Sequence, residues 1–272
     1  MGLSRCLTLP ILAFLVLLLS NYYIVVVLAL QPWIGVPALL HALLFTLLNV
    51  MILISHGLAV LRDPGQVPAN YSPDLETDQS TVLKGKERRF CEKCGLYKPA
   101  RAHHCRICKR CILRMDHHCS WLNNCVGHRN YKAFLLLVFY LFLGCSYSLA
   151  IFGGSTLNNS STYQFWKVMY GVCLVVGVLI FGSMQAWYAY LLVQNKTTIE
   201  FHQGKREGWI AVKAGQIYRH PYDLGLLANL INVLGPKTKY WLCPMSVGHI
   251  GSGLWSRTLS ETHINNILAD SS

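Results

Sequence analysis

No Asp, Glu, Lys or Arg occurs between Arg5 and Arg62, between Lys132 and Lys167, or between Lys167 and Lys196. Few folds tolerate such gaps. A soluble amphipathic helix or strand keeps one face polar, whereas a helix crossing a bilayer needs about 20 consecutive apolar residues. Backbone polar groups in hydrocarbon must be satisfied within their own segment, so these stretches are expected to be helices. The chain is 53% hydrophobic and 13% charged, about half the charge of a soluble domain. Four spans follow, at about residues 7–30, 36–61, 133–153 and 168–193. The first reads as an anchor: its apolar core outruns a signal-peptide core of roughly 7–15 residues, and a second span follows at once.

Lys and Arg set the expected orientation. Residues 62–132 hold 14 of the 24, and the stretch after Asn195 holds 8. The first-to-second connection has none, and the third-to-fourth has only Lys167. By the positive-inside rule both rich segments face the cytosol. The sequons of "NNSS", residues 158–161, then fall on the lumenal side. The expected domains are 1–61 (two spans), 62–132 (a cytosolic domain), 133–193 (two spans and a lumenal loop) and 194–272 (a cytosolic tail). The net charge of +12 fits this bias and anionic lipid, and no nucleic-acid partner is expected. The N-terminal "MGLSRC" has Cys6 where a myristoylation signal needs Ser or Thr.

Seven of the 11 cysteines lie between Cys91 and Cys125. A reducing, cytosolic setting disfavours disulfides and points to zinc. "HHCRICKRC" and "HHCSWLNNC" repeat with an offset of 14 residues. Sliding the sequence by that offset gives two interleaved sets of the form C-x2-C-x9-H-x6-C. The first is Cys91, Cys94, His104 and Cys111; the second is Cys105, Cys108, His118 and Cys125. Three thiolates and an imidazole make a closed tetrahedral structural zinc site. Cys119 is left over, because Leu122 stands where its Cys partner would be; the alternative is that Cys119 takes the place of Cys125 or Cys108 in the second set.

The fold class expected is therefore an all-α polytopic membrane protein. Four transmembrane helices carry a cytosolic two-zinc cysteine-rich domain of short strands and loops between the second and third.

His117 lies two residues before Cys119, on the same face of an extended strand. An imidazole there can take the thiol proton, and Asp116 can fix the imidazole tautomer. Equally, Asp116 can act only as outer partner to a zinc-bound histidine. A thiolate just before a membrane span suits a substrate with an apolar tail and a soluble head, such as a fatty acyl thioester of coenzyme A. In the second span His41, Asn49 and His56 are expected to serve packing, as are Cys145 and Cys173 in the third and fourth.

"DHHC" at 116–119, inside "CEKCGLYKPARAHHCRICKRCILRMDHHCSWLNNCVG", resembles the cysteine-rich domain of the DHHC protein S-acyltransferases, or palmitoyltransferases. "DPG" at 63–65, "TTIE" at 197–200 and "NLINVLG" at 229–235 are similar to further elements of that family, with Leu234 where Phe is usual. Ser120 replaces the usual Pro after the motif, a change expected to alter rates. "TTIE" also reads as a helix capping box. The resemblance implies transfer of a long-chain acyl group, typically palmitoyl, from acyl-CoA to target-protein cysteines. Cys119 would be the nucleophile, His117 the base and Asp116 its orienter, with two structural zinc ions. Within "KPARAH", Lys98, Arg101 and His103 are candidates for the coenzyme A phosphates, or simply a basic surface facing anionic lipid. The implied partners are membrane lipid, acyl-CoA and cysteine-containing proteins at the cytosolic membrane face. The implied location is an endomembrane (Golgi or ER) or the plasma membrane. A membrane-anchored zinc module that only recruits partners would leave Asp116, His117 and Cys119 without a role.

Overall fold

The computed structural model describes residues 8–30, 35–73, 89–156, 164–246, 248 and 250–259. The sequons and "MGLSRC" lie outside them. The described chain forms two compact units, one of residues 1–61, 120–123 and 133–188, the other of 62–119, 124–132 and 189–272.

Among the described residues four helices are long and apolar enough to cross a membrane: Leu9–Ala29, Val36–Leu61, Tyr131–Gly154 and Gln164–Val193. The first is α1 (Leu9–Tyr23) continued by a π-helical stretch, Ile24–Ala29. Next come α2 (Val36–Leu61), α3 (Tyr131–Thr156) and α4 (Gln164–Val193). Both α3 and α4 start earlier than hydropathy suggests. α4 takes in Lys167 and the aromatic "QFW" before it, and α3 takes in Lys132. Charge ends a hydropathy window; it does not end a helix, since Lys and aromatic residues are good neighbours of a membrane interface.

In the first unit Val25, Ala29, Leu30, Phe45 and Ile151 form a buried cluster. Apolar side chains gain little from leaving lipid for each other, so close approach and hydrogen bonds must hold such helices. A β-carbon at Gly177 would lie 3.2 Å from Cys145 Sγ, and one at Gly182 would lie 3.2 Å from Phe142; small residues thus let α3 and α4 approach. Across helices, Asn21 donates to Ser148 Oγ (3.1 Å) and accepts from Tyr170 (2.6 Å), and His41 Nδ1 pairs with Tyr147 OH (2.7 Å). Asn49 donates to the Phe45 carbonyl of its own helix, and His56 stacks on Phe14 with centroids 4.1 Å apart.

The second unit is built from three antiparallel hairpins: β1 (Phe90–Cys91) with β2 (Leu96–Tyr97), β3 (His103–Cys105) with β4 (Arg110–Ile112), and β5 (His117–Cys119) with β6 (Asn124–Val126). The 14-residue offset is visible in their register: His104 faces Cys111 and His118 faces Cys125. It is visible in the turns too. Gly95, Lys109 and Asn123, each 14 residues apart, all hold positive φ, at 64°, 52° and 45°. A left-handed residue closes each turn, and only the first is glycine.

The "DPG" turn fastens to these hairpins. Asp63 Oδ1 accepts from the Gly65 and Gln66 amides, and Oδ2 accepts from Arg110. Gly65, at φ 103°, takes the Leu113 amide on its carbonyl. After α4, helix α5 (Thr198–Lys213) and helix α6 (Leu226–Leu234) follow. Asn229, fully buried, donates to the Val193 carbonyl and to Asp223.

Lys132 organises the rest of this segment. Its side chain is 1% exposed, and its ammonium donates to the carbonyls of Leu234 (2.9 Å), Tyr240 (2.9 Å) and Ser246 (3.2 Å). Leu234 ends α6 and Tyr240 ends a 3₁₀ turn, Thr238–Tyr240. Carbonyls at helix C-termini carry partial negative charge, so a cation belongs there. Lys132→Met, similar in size but uncharged, should leave these acceptors unpaired at a cost on the order of 3 kcal/mol. Amide hydrogen exchange should show residues 234–246 losing protection while β3–β6 keep theirs. Unchanged protection of that tail would refute the role of Lys132.

Candidate active site and metal clusters

Two groups converge among the described residues: Cys91, Cys94, His104 and Cys111, and Cys105, Cys108, His118 and Cys125. In each, the potential ligand atoms all lie within 4.8 Å of one another. None of the described cysteines is in a disulfide. The donor geometry can be tested against zinc. Bond lengths near 2.3 Å to sulfur and 2.05 Å to nitrogen imply tetrahedral edges of about 3.6 Å for N···S and about 3.8 Å for S···S. In the first group His104 Nδ1 lies 3.6, 3.2 and 3.9 Å from the sulfurs of Cys91, Cys94 and Cys111. In the second, His118 Nδ1 lies 3.7, 3.4 and 3.6 Å from those of Cys105, Cys108 and Cys125, and Cys125 lies 3.5 Å from Cys108. Both groups fit. Burial and the neighbouring sulfurs Cys91 and Cys94 push the Cys111 thiol up, and burial with Cys105 and Cys108 pushes Cys125 up. Such crowding calls for a cation.

The hairpins explain why eight ligands serve two sites and a ninth sulfur stays apart. Each cluster takes two sulfurs from the turn of one hairpin, and a His and a Cys from the paired strands of the next. In the first and second hairpins those turn sulfurs are Cys91 with Cys94 and Cys105 with Cys108. The third hairpin offers Cys119 with Leu122, and Leu122 is 2% exposed. Among the described residues no further hairpin follows to bring a His and a Cys. Cys119 is left out of both metal groups, at the end of β5 and half-buried.

His117, on the same face of β5, hydrogen-bonds the Cys119 sulfur, and its Nδ1 lies 2.7 Å from Asp116 Oδ2. A carboxylate can only accept, so Nδ1 carries the proton. Burial would lower the His117 pKa, but Asp116 and Cys119 raise it to about 9. Asp116 is itself 1% exposed and held from a distant part of the chain. Its Oδ1 accepts the Thr198 amide (2.8 Å), and its Oδ2 accepts the Thr198 hydroxyl (2.9 Å). That amide belongs to the first turn of α5, where N–H groups lack intrahelical acceptors and favour a carboxylate.

The start of α5 is fixed in turn by a buried clamp. Thr197 and Glu200 form a reciprocal capping box. Glu200 also grips Arg101 in a two-pronged pair, Oε1 to Nε at 2.6 Å and Oε2 to Nη2 at 2.8 Å. Arg101 Nη2 further donates to the Asn195 carbonyl (2.7 Å), and its guanidinium stacks 4.4 Å above the Tyr222 ring. Arg114 donates to Asn195 Oδ1 at 2.8 Å. "TTIE" thus does two jobs, capping α5 with Thr197 and Glu200 and holding Asp116 with Thr198.

Arg101 is 6% exposed with its donors taken up inside the protein, so it positions structure. Arg101 and His103 both line a pocket of about 540 Å³, together with Arg89, Glu200, Arg206 and Glu207. Burial, Arg89 and Lys98 lower the His103 pKa to about 4, so its ring is neutral near pH 7. Lys98 is half-buried and outside that lining. Sequence reasoning did not find Arg89, Arg206, Arg114 or Asn195: the role of each depends on what folds beside it.

Residues 84–205 match the family model described as "DHHC palmitoyltransferase". The chain is 44% identical over 238 residues to probable protein S-acyltransferase 16 of Arabidopsis thaliana, covering 83% of each. It is 43% identical over 232 residues to probable protein S-acyltransferase 15 of the same plant, covering 82% of this chain and 91% of that one. Human palmitoyltransferase ZDHHC15 is 34% identical over 193 residues, 67% of this chain and 54% of the human one.

Two measurements check the site's construction. Metal analysis of purified protein should find two zinc ions per chain, and Cys119→Ser should keep both while Cys125→Ser loses one; a Cys119→Ser protein short of one zinc would overturn the ligand assignment. The second concerns acid. Burial alone would raise the Glu200 pKa, but Arg101 and the Thr197 amide hold it at about 2, below its ordinary 4.5. A depressed carboxylate stabilises fully above its unfolded value and loses that contribution as pH falls from about 4.5 toward 2. Wild type should exceed Glu200→Gln in thermal stability by about 3 kcal/mol at neutral pH, with the gap closing across that window. A gap constant with pH would exclude the ionic clamp.

Proposed function

Because the chain belongs to the DHHC palmitoyltransferase family, we propose that it is a protein S-acyltransferase working through an acyl-Cys119 intermediate. The observation that carries this reading is the one sulfur of the hairpins outside both metal groups, hydrogen-bonded to an imidazole whose other nitrogen is held by Asp116. His117 takes the Cys119 proton, and the thiolate attacks the thioester carbonyl of a fatty acyl-CoA, typically palmitoyl-CoA. The carbonyl–sulfur bond to coenzyme A breaks, and the departing thiolate takes the proton back from His117. A target-protein thiol then gives its proton to His117 and attacks acyl-Cys119. The acyl group passes to the target cysteine, and Cys119 regains its proton. Asp116 stabilises the imidazolium in both halves. Two zinc ions held by the eight cluster residues brace β3–β6, so that Cys119 and His117 keep one geometry.

The pocket whose lining includes Arg89, Arg101, His103 and Arg206, beside Glu200 and Glu207, supports a place for the phosphates of the coenzyme A head, with Lys98 close enough to His103 to influence it. Residues 62–132 and 194–272 face the cytosol in this reading, supported by their share of the Lys and Arg. The acceptors are cysteine-containing proteins at that face of an endomembrane or the plasma membrane.

Purified protein in detergent should take up label from a radiolabelled acyl-CoA and release it to neutral hydroxylamine. Cys119→Ser should take up none. Asp116→Asn should slow labelling about 10²- to 10⁴-fold, and Thr198→Val, which removes one support of Asp116, about 10- to 100-fold. Hydroxylamine-sensitive label persisting in Cys119→Ser would sink the proposal.

A further inference from the structure

The side of α5 turned away from the Arg101 clamp carries a second message. Its inner side is covered: Glu200 is buried, and a β-carbon at Gly204 would lie 3.2 Å from the Tyr218 hydroxyl. On the outer side, Phe201, Lys205, Trp209 and Lys213 follow at steps of four, with Val212 three after Trp209, one stripe of a helix. Trp209 is 61% exposed and Val212 73%, and just beyond the helix Ile217 is 87% exposed. Such large apolar groups seldom crowd together on a face meant only for water. The lysines lie over the rings: Lys205 Nζ is 4.6 Å from the Phe201 centroid, and Lys213 Nζ is 3.7 Å from that of Trp209. Aromatic and aliphatic groups interleaved with lysines match the boundary between headgroups and acyl chains, where rings sit at the interface and ammonium groups reach anionic phosphates.

Two observations name the occupant. First, the stripe is continuous with a membrane span. Phe201 packs edge-on against Tyr190 with centroids 5.9 Å apart, and Tyr190 lies in the last turn of α4. α5 therefore begins beside the end of α4, a helix long and apolar enough to cross a membrane. Second, the charge fits: Lys205 and Lys213 lie outward, Arg206 and Glu207 line the pocket, and Glu200 is neutralised inside by Arg101. We propose that α5 lies on the bilayer, with Trp209, Val212 and Ile217 inserted at the acyl boundary and Lys205 and Lys213 on anionic headgroups. The bilayer then supports the outer side of the helix whose first turn holds Asp116.

The test uses the full chain in vesicles of phosphatidylcholine and phosphatidylserine, with acyl chains either plain or brominated near the glycerol. Subtracting the emission of Trp209→Phe from wild type isolates Trp209. Brominated lipid should quench about half or more of that difference signal, and aqueous iodide should leave it intact. Quenching by iodide alone would place Trp209 in water, and quenching by neither would place it against protein; either overturns the proposal. Lys205→Glu with Lys213→Glu leaves Trp209 in place and should cut the lipid quenching and admit iodide. Unchanged lipid quenching in that double variant would overturn the assignment to anionic headgroups.

Discussion

Arg101 decides where α5 begins, and the beginning of α5 decides where Asp116 sits. The guanidinium is sealed from water against Glu200, the Asn195 carbonyl and the Tyr222 ring. A charge so placed is costly to bury and more costly to leave alone, since removal of one partner strands the other. The two-pronged contact adds direction to attraction, because a planar fork meets a carboxylate in one orientation. Thr197 and Thr198 are carried along with Glu200, and Thr198 delivers an amide and a hydroxyl to Asp116. A residue 18 positions before Cys119 thereby sets the orientation of the imidazole beside it, without touching that imidazole.

The second constraint is arithmetic. Hairpins that donate two sulfurs from their own turn and receive a His and a Cys from the next can be chained only while another hairpin follows. Three hairpins make two closed sites and strand the last turn. Leu122 in that turn is buried, where its counterparts are Cys94 and Cys108. Cys119 thus occupies the metal-binding position of a repeat that, among the described residues, has no further hairpin to pair with. The left-handed φ of Gly95, Lys109 and Asn123 shows the same turn built three times from three unlike residues.

That repeat was legible in the chain, because metal ligation imposes spacing, and spacing survives as pattern. The four spans were legible because lipid forbids charge over long runs. Arg101, Asn195 and Lys132 were not. Arg101 and Glu200 are 99 positions apart, and Lys132 is 102 positions from Leu234. The acceptors of Lys132 are carbonyls, which every residue possesses and no sequence marks. "KPARAH" did not reveal the buried side of Arg101 for a related reason: a basic residue in a basic segment reads as surface until its carboxylate is found. "TTIE" showed the opposite ambiguity. Its capping-box reading and its family reading looked like rivals, and the folded chain uses both, through different side chains of one tetrapeptide.

The buried cations also change the meaning of the net charge. The formal +12 counts Arg101, Arg114 and Lys132, yet their side chains are buried. Arg101 is matched by Glu200, whereas Lys132 is held by carbonyls and Arg114 by Asn195 Oδ1 and the Tyr131 ring. Burial, and then repulsion from Arg101, lowers the Arg114 pKa to about 10, so it stays charged at neutral pH. Positive charge in such a segment therefore divides into two populations. Arg114 and Lys132 are solvated by the chain's own dipoles and tie distant segments together, where salt screens them little. Lys205 and Lys213 stay outside and meet phosphate, where salt screens them strongly. Total charge cannot separate these groups; only the partners can, and the partners exist only in the folded protein.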